Sequence, residues 1–253
     1  MKTSSMIVGA LTAGIIMAMS TSNVEAAELR VIAGGGASSM LAALGPQFEQ
    51  ATGHKLNISY GGTPALVKQL ASGEAFDLVV VPLQVLADPA AKARLAAPTT
   101  EIARVGVGLG VPEGAPKPDI GTPDALKATL LNAKSVTMVP ESANGAHILK
   151  VFERLGIAEA MKPKILAQND PLKLAPALAR GDAEIGLYVT NLLLAPGIVL
   201  VGSFPGELNT YLTFRAGLSR EAAQPEAAKA FIAHLTTPAA AAVIKAKGME
   251  PLF

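Results

Sequence analysis

The chain has 253 residues with 21 Lys and Arg against 20 Asp and Glu, a net charge of +1 that gives no electrostatic case for nucleic acid or an anionic membrane surface. It has no cysteine, which excludes disulfides, thiolate metal sites and lipid attachment through an N-terminal cysteine. No Trp, three Tyr and seven Phe leave little for an aromatic platform that would stack sugars or bases.

From the start of the chain, Lys2 supplies a positive first region and Met6 to Met19 an apolar, small-residue core. Val24-Glu25-Ala26 ends in an A-x-A-like cut. Residues 1–26 are therefore expected to be a signal peptide. A membrane anchor would need about 20 strongly apolar residues, and this segment is shorter and broken by Gly9, Thr12 and Gly14. The expected product is a soluble, exported, periplasmic protein without stable membrane insertion.

The remaining residues alternate between strand and helix. Leu29 to Ala33 is a short apolar run, three glycines follow, and Met40, Leu41, Leu44 and Phe48 recur at helical spacing. A strand, a glycine loop and a helix start together present free backbone N–H groups to an anionic or strongly polar ligand. The loop is not a dinucleotide fingerprint, since Ser39 stands where the third glycine of G-x-G-x-x-G belongs.

Leu56 to Tyr60 alternates as a strand, and Gly61-Gly62-Thr63-Pro64 turns into a helix. Leu78 to Val81 is a continuous apolar run suited to a strand buried on both faces. Ile102 to Val111, Ser135 to Val139, Ile165 to Ala167, Ile185 to Tyr188, Ile198 to Val201 and Thr210 to Ala216 read as further strands. Helices are expected from Thr122, over Ala146–Leu155 and Leu172–Ala179, and within Pro225–Lys247. The pattern predicts an α/β protein with mostly parallel sheets flanked by helices.

One pattern occurs twice. Ala71 to Val79 and Ala179 to Leu187 each run from a helix end through a glycine stop and an acidic turn into a buried strand. Each leads to a loop at the carboxyl end of its strand, where open α/β sheets bind ligands. Two such halves face to face make a cleft.

The segments FEQATGHKLNISYGGTPALVKQLASGEAFDLVV (48–80), SANGAHILKVFERLGI (142–157), ARGDAEIGLY (179–188) and PEAAKAFIAHLTTPAAAAVIKAKGMEP (225–251) carry a family likeness. Together they resemble the type-2 periplasmic solute-binding proteins, in the branch of the molybdate-binding components of ABC transporters. The resemblance covers essentially the whole chain after residue 26. It implies a two-lobed fold with the ligand between lobes, lobe one being 27–104 plus 209–253 and lobe two 105–208. It also implies a monomer that serves an ABC-transporter permease and needs no cofactor or metal.

The departures from that family decide the ligand. Where its first loop carries a serine, Gly36 stands here. Thr63 keeps the second hydroxyl and Tyr188 matches the family tyrosine. Pro82 falls where a backbone N–H is given, and proline has none. Asp170 falls at an apolar position, where its charge would repel an oxyanion. The expectation is a small organic anion, a di- or tricarboxylate, rather than molybdate. Its expected contacts are Gly35, Gly36, Ser38, Ser39, Gly62, Thr63, Ser142, Asn144, Gly145, Tyr188 and Asn191, with Arg104 as the cation. The same wider group resembles aconitate isomerase, a cofactor-independent enzyme on this fold. In an enzyme of that kind Asp170, His147 or Tyr188 would move the proton. His54 and His234 are expected to be structural.

Overall fold

A computed structural model describes residues 26–253. The expected signal peptide lies outside these residues apart from Ala26.

Strand β1 (Glu28–Gly34) is central to the first half. It pairs in parallel with β2 (Lys55–Gly61) on one side and with β3 (Leu78–Pro82) on the other. The connections are α1 (Ser38–Thr52) and α2 (Thr63–Ala71). All five β3 residues are buried, as an uninterrupted Leu-Val-Val-Val-Pro run requires. α1 buries Met40, Leu41, Leu44 and Phe48, the stripe predicted from its spacing, and stops at Gly53 with φ +77°.

The repeated glycine stops are as expected. Gly73 and Gly181 have φ of +82° and +77°, a conformation that L side chains rarely adopt. The acidic turns that follow are structural. Asp77, 1 % exposed, accepts from the backbone N–H groups of Arg30 and Gln224, and Asp182 pairs with Arg180. His54 and His234 are engaged in the same way, with the Ala27 N–H and the Leu44 carbonyl.

After α3 (Pro89–Ala93), the 13-residue β4 (Thr100–Pro112) joins the two halves. Its first half, through Gly106, pairs antiparallel with β9 (Tyr211–Leu218). Its second half, from Val107, pairs with β7 (Ile185–Val189) and β8 (Ile198–Ser203). The second half of the fold adds α4 (Pro123–Asn132), β5 (Val136–Met138), α5 (Ala143–Arg154), a short α6 (Ala158–Met161), β6 (Ile165–Ala167) and α7 (Pro171–Ala179). The sheet path is β2-β1-β3-β9-β4-β7-β5-β6. Helices α8 (Pro225–His234) and α9 (Pro238–Ala246) return to the first half, and β10 (Glu250–Pro251) closes on β4.

One apolar cluster runs across both halves, joining Leu29, Phe48 and Phe231 to Leu174, Tyr188 and Leu193. Among the described residues no single helix is long and apolar enough to cross a membrane. α8 and α9 would pass only as a pair, but they are bent by 63° and their buried residues include Phe231 and Ile244.

The candidate site at the facing loop tips

The glycine loop after β1 is buried and filled. A Cβ on Gly35 would lie 2.5 Å from Cβ of Pro171, the first residue of α7, and one on Gly36 would lie 2.8 Å from Cζ of Phe214 on β9. The two glycines thus let the loop approach the start of α7 and the crossing strand. They leave no room for the hydroxyl that the resemblance would place there. α1 begins without a side-chain cap, with Ser38 and Ser39 half-buried in its first turn. Asn191, just past β7, reaches across and donates through Nδ2 to the Gly36 carbonyl at 2.9 Å and to Ser39 Oγ at 2.8 Å. Its Oδ1 is buried without a partner among the described residues.

Thr63 opens α2, with Gly62 extended before it and Pro64 in its first turn. Its Oγ1 accepts from the backbone N–H of Ala143 at 3.3 Å, so the hydroxyl sits against the start of α5. That start is tightly built. Ser142 Oγ accepts from Gly145 N–H at 3.0 Å and donates to the Val139 carbonyl at 2.7 Å. A Cβ on Gly145 would fall 2.0 Å from the Val139 oxygen, so this turn requires glycine. α5 therefore begins at Ala143, three residues before the sequence suggested, because Ser142 rather than the glycine marks its start.

Tyr188 and Asn144 are each 2 % exposed and meet beneath this turn. The Tyr188 hydroxyl faces the side chains of Ser142 and Asn144. Burial pushes the phenol well above its ordinary value near 10. Its hydrogen bonds with Ser142 and Asn144 oppose this, and the Asp170 charge adds to it. At neutral pH Tyr188 is therefore held in its protonated, phenol form. Asp170 caps α7, its Oδ1 accepting from Leu172 N–H at 2.9 Å. That cap is a structural use for a carboxylate at this position.

Above Tyr188 lies a cleft of about 480 Å³. Thr63 and Pro64 line one wall, with Gln84 beyond β3, and Thr210 to Leu212 form the base at β9. The opposite wall is the leading face of α5, with Ser142, Asn144, His147 and Lys150. His147 Nε2 lies 2.8 Å from the Leu208 carbonyl. A carbonyl only accepts, so Nε2 carries a proton, and in the neutral ring Nδ1 is then the acceptor. Larger hollows exist, such as the 670 Å³ one beside Pro116, Asn132 and Glu184, but they lie away from these loop tips.

The structure thus divides the predicted residues into two neighbouring groups. Thr63, Ser142, Asn144 and His147 line the cleft, with Tyr188 beneath, Gly145 shaping the turn and Gly62 leading into Thr63. Gly35, Gly36, Ser38, Ser39 and Asn191 form a second cluster at the start of α1, against α7 and its cap Asp170. Arg104 belongs to neither group. Its guanidinium makes a two-point pair with Glu250 at 2.9 and 2.8 Å and covers the ring of Tyr211, its Cζ 4.4 Å from the centroid. Arg104 is expected from the sequence to face the cleft; it is not among the cleft's lining residues, but Tyr211, whose ring it covers, is. Pro82 ends β3 opposite Phe214, and the next N–H, that of Leu83, donates to the Thr213 carbonyl. That loop accordingly has no free donor at either position. Sequence reasoning missed Lys150, the one lysine or arginine of the cleft lining. Its spacing of i, i+4, i+7 with Ala143 and His147 would have found it had the helix been started at Ser142.

A sheet crossed by β4 and β9, with helix starts converging on a cleft, defines a mixed α/β binding-protein fold of the molybdate-binding type. The model of the bacterial extracellular solute-binding protein family matches residues 29–250, and the chain belongs to that family. The family is described as one of bacterial extracellular solute-binding proteins. The chain is 31% identical to an aconitate isomerase from Pseudomonas sp over 233 residues, 88% of each chain. It is 27% identical to the molybdate-binding protein ModA of Azotobacter vinelandii over 96% of each chain. The solved periplasmic molybdate-binding protein of Azotobacter vinelandii superposes with a TM-score of 0.75 at 19% identity, covering 87% of this chain and 98% of that one.

Proposed function

We propose that this protein is a periplasmic receptor for a small di- or tricarboxylate, held in the cleft between a lobe of residues 27–104 plus 209–253 and a lobe of 105–208. The carrying observation is the filled glycine loop. Gly36 has no hydroxyl and no space for one beside Phe214, and Leu83 N–H is already committed to Thr213. A tetrahedral oxyanion loses two donors there, at about 1–3 kcal/mol for each missing hydrogen bond to a buried charge. The cleft of about 480 Å³ is lined by Thr63, Ser142, Asn144 and Lys150, which supply polar groups for an organic anion. Export through residues 1–26 and delivery to a permease belong to the same reading. Isothermal calorimetry against tricarballylate, glutarate, citrate, molybdate and sulfate tests it. Carboxylate binding with molybdate weaker than micromolar is expected, and the reverse order would end it.

A second reading is supported by His147 and by the relative named aconitate isomerase. Shifting a double bond in an unsaturated carboxylate needs a base that takes a proton from one carbon and returns it to another. It also needs donors for the charge that builds on a carboxylate meanwhile. His147 Nδ1, fixed as an acceptor by the Leu208 carbonyl, would be that base, with Thr63 and Tyr188 as donors. trans-Aconitate incubated with the protein in deuterated water separates the readings. Deuterium uptake or the cis isomer means an enzyme, and unchanged, unlabelled ligand means a receptor.

A further inference from the structure

We infer that Lys150 is the outer anchor of the ligand, and that the ligand therefore carries two carboxylates at the ends of about a five-carbon chain. This rests on the carboxylate reading above and deepens it. Lys150 lines the same cleft as Ser142, Asn144 and His147, and no other lysine or arginine does. It makes no ion pair among the described residues, although Glu141 lines the same cleft. Arg104, the cation nearest in the sequence argument, is already matched to Glu250. An unpaired ammonium in a cleft that must hold an anion is the group with charge to give.

The spacing along α5 sets the length of the ligand. Lys150 is seven residues beyond Ala143, about 10 Å along a helix rising about 1.5 Å per residue. Side chains on a helix lean toward its N-terminus, so the four-carbon stem can bring the ammonium back toward His147. An ammonium so directed would stand roughly 5–10 Å from the polar groups at Ser142 and Asn144. The end carboxyl carbons of an extended five-carbon diacid are about 5 Å apart, from C–C bonds of about 1.5 Å. With one carboxylate at Thr63 and Asn144 and the other on Lys150, the carbon chain would lie across His147. A single oxyanion could use only one end of this arrangement.

Calorimetry of the wild type, Lys150→Gln and Lys150→Arg with tricarballylate and with glutarate tests the assignment. Lys150 is exposed, so both variants are expected to keep the wild-type circular dichroism and melting temperature. Lys150→Gln is expected to weaken both ligands at least tenfold, while Lys150→Arg stays within about threefold of wild type. Unchanged affinity in Lys150→Gln overturns the anchor and leaves the carboxylate reading standing. Equal losses in Gln and Arg also overturn it, because charge would then not be the cause. If the wild type binds neither compound, the carboxylate reading and the anchor fall together.

Discussion

The hydroxyl of Thr63 and the backbone N–H of Ala143, 80 residues apart, join the starts of α2 and α5 through a 3.3 Å hydrogen bond. Oγ1 accepts there, so its own hydrogen is free to turn into the cleft. The N–H of a first helical turn has no partner within its own helix, and Thr63 supplies one from the opposite wall. The same atom is thus an acceptor that draws the walls together and a donor for what lies between them.

Thr63→Val removes both roles at nearly constant volume, and Thr63→Ser keeps both. Valine is expected to cost about 0.5–1.5 kcal/mol in carboxylate affinity, with serine close to wild type. Equal affinities for all three proteins in calorimetry would show that the hydroxyl does not reach the ligand.

Gly36→Ser reintroduces the hydroxyl of the molybdate-binding pattern, and it is expected to fail. The new Cβ would stand 2.8 Å from Phe214 Cζ in a buried loop. Overpacking of this kind costs about 1–3 kcal/mol. Chemical denaturation should report that loss, and molybdate titration should show no gain in affinity.

The strands, the glycine stops and the α1 stripe were legible because each rests on local chemistry: an apolar run, a positive φ, a 3.6-residue period. The site was legible only in part. Thr63, Ser142, Asn144 and Tyr188 sit at loop tips that strand order alone brings together. The ion pair of Arg104 was not legible, because its partner Glu250 is 146 residues away on a two-residue strand that no periodicity reveals. Gly36 and Pro82 were read as lost donors from residue type alone. That Phe214 fills the space at one and Thr213 takes the next N–H at the other could not be seen, since β9 is distant in sequence from both.

Arg104→Ala is expected to act on the C-terminal strand and leave the ligand alone. The Arg104–Glu250 pair is open to solvent, and such pairs contribute little to stability. Melting temperature should fall slightly and carboxylate affinity should stay within twofold. A tenfold loss of affinity at unchanged stability would place the guanidinium at the ligand after all.

Asn191→Asp should be worse for stability than Asn191→Ala. Alanine loses the two Nδ2 bonds but also removes the unpartnered Oδ1, whereas aspartate sets a buried charge against the Gly36 carbonyl. Uncompensated burial of charge exceeds the loss of one neutral bond. Urea midpoints in the order wild type, Ala, Asp are expected, and Asp at or above Ala would contradict the clamp.

The alkaline limb of stability should carry the signature of Tyr188. Its phenol is held above the ordinary value near 10, chiefly by burial, so the folded state prefers the protonated form. A group raised in the folded state contributes its stability fully below the unfolded value and loses it as pH rises above that value. Tyr188→Phe removes the titration. It also leaves Ser142 and Asn144 without the hydroxyl, which costs about 0.5–1.5 kcal/mol at neutral pH. Phenylalanine is therefore expected to be the less stable protein at pH 7 and the less sensitive one above pH 10. The two urea-midpoint curves should converge as pH is raised from 8 to 11.5. Tyr60, which burial also raises, is present in both proteins and drops out of the difference. Parallel curves across that range would mean that the Tyr188 hydroxyl is solvated when folded.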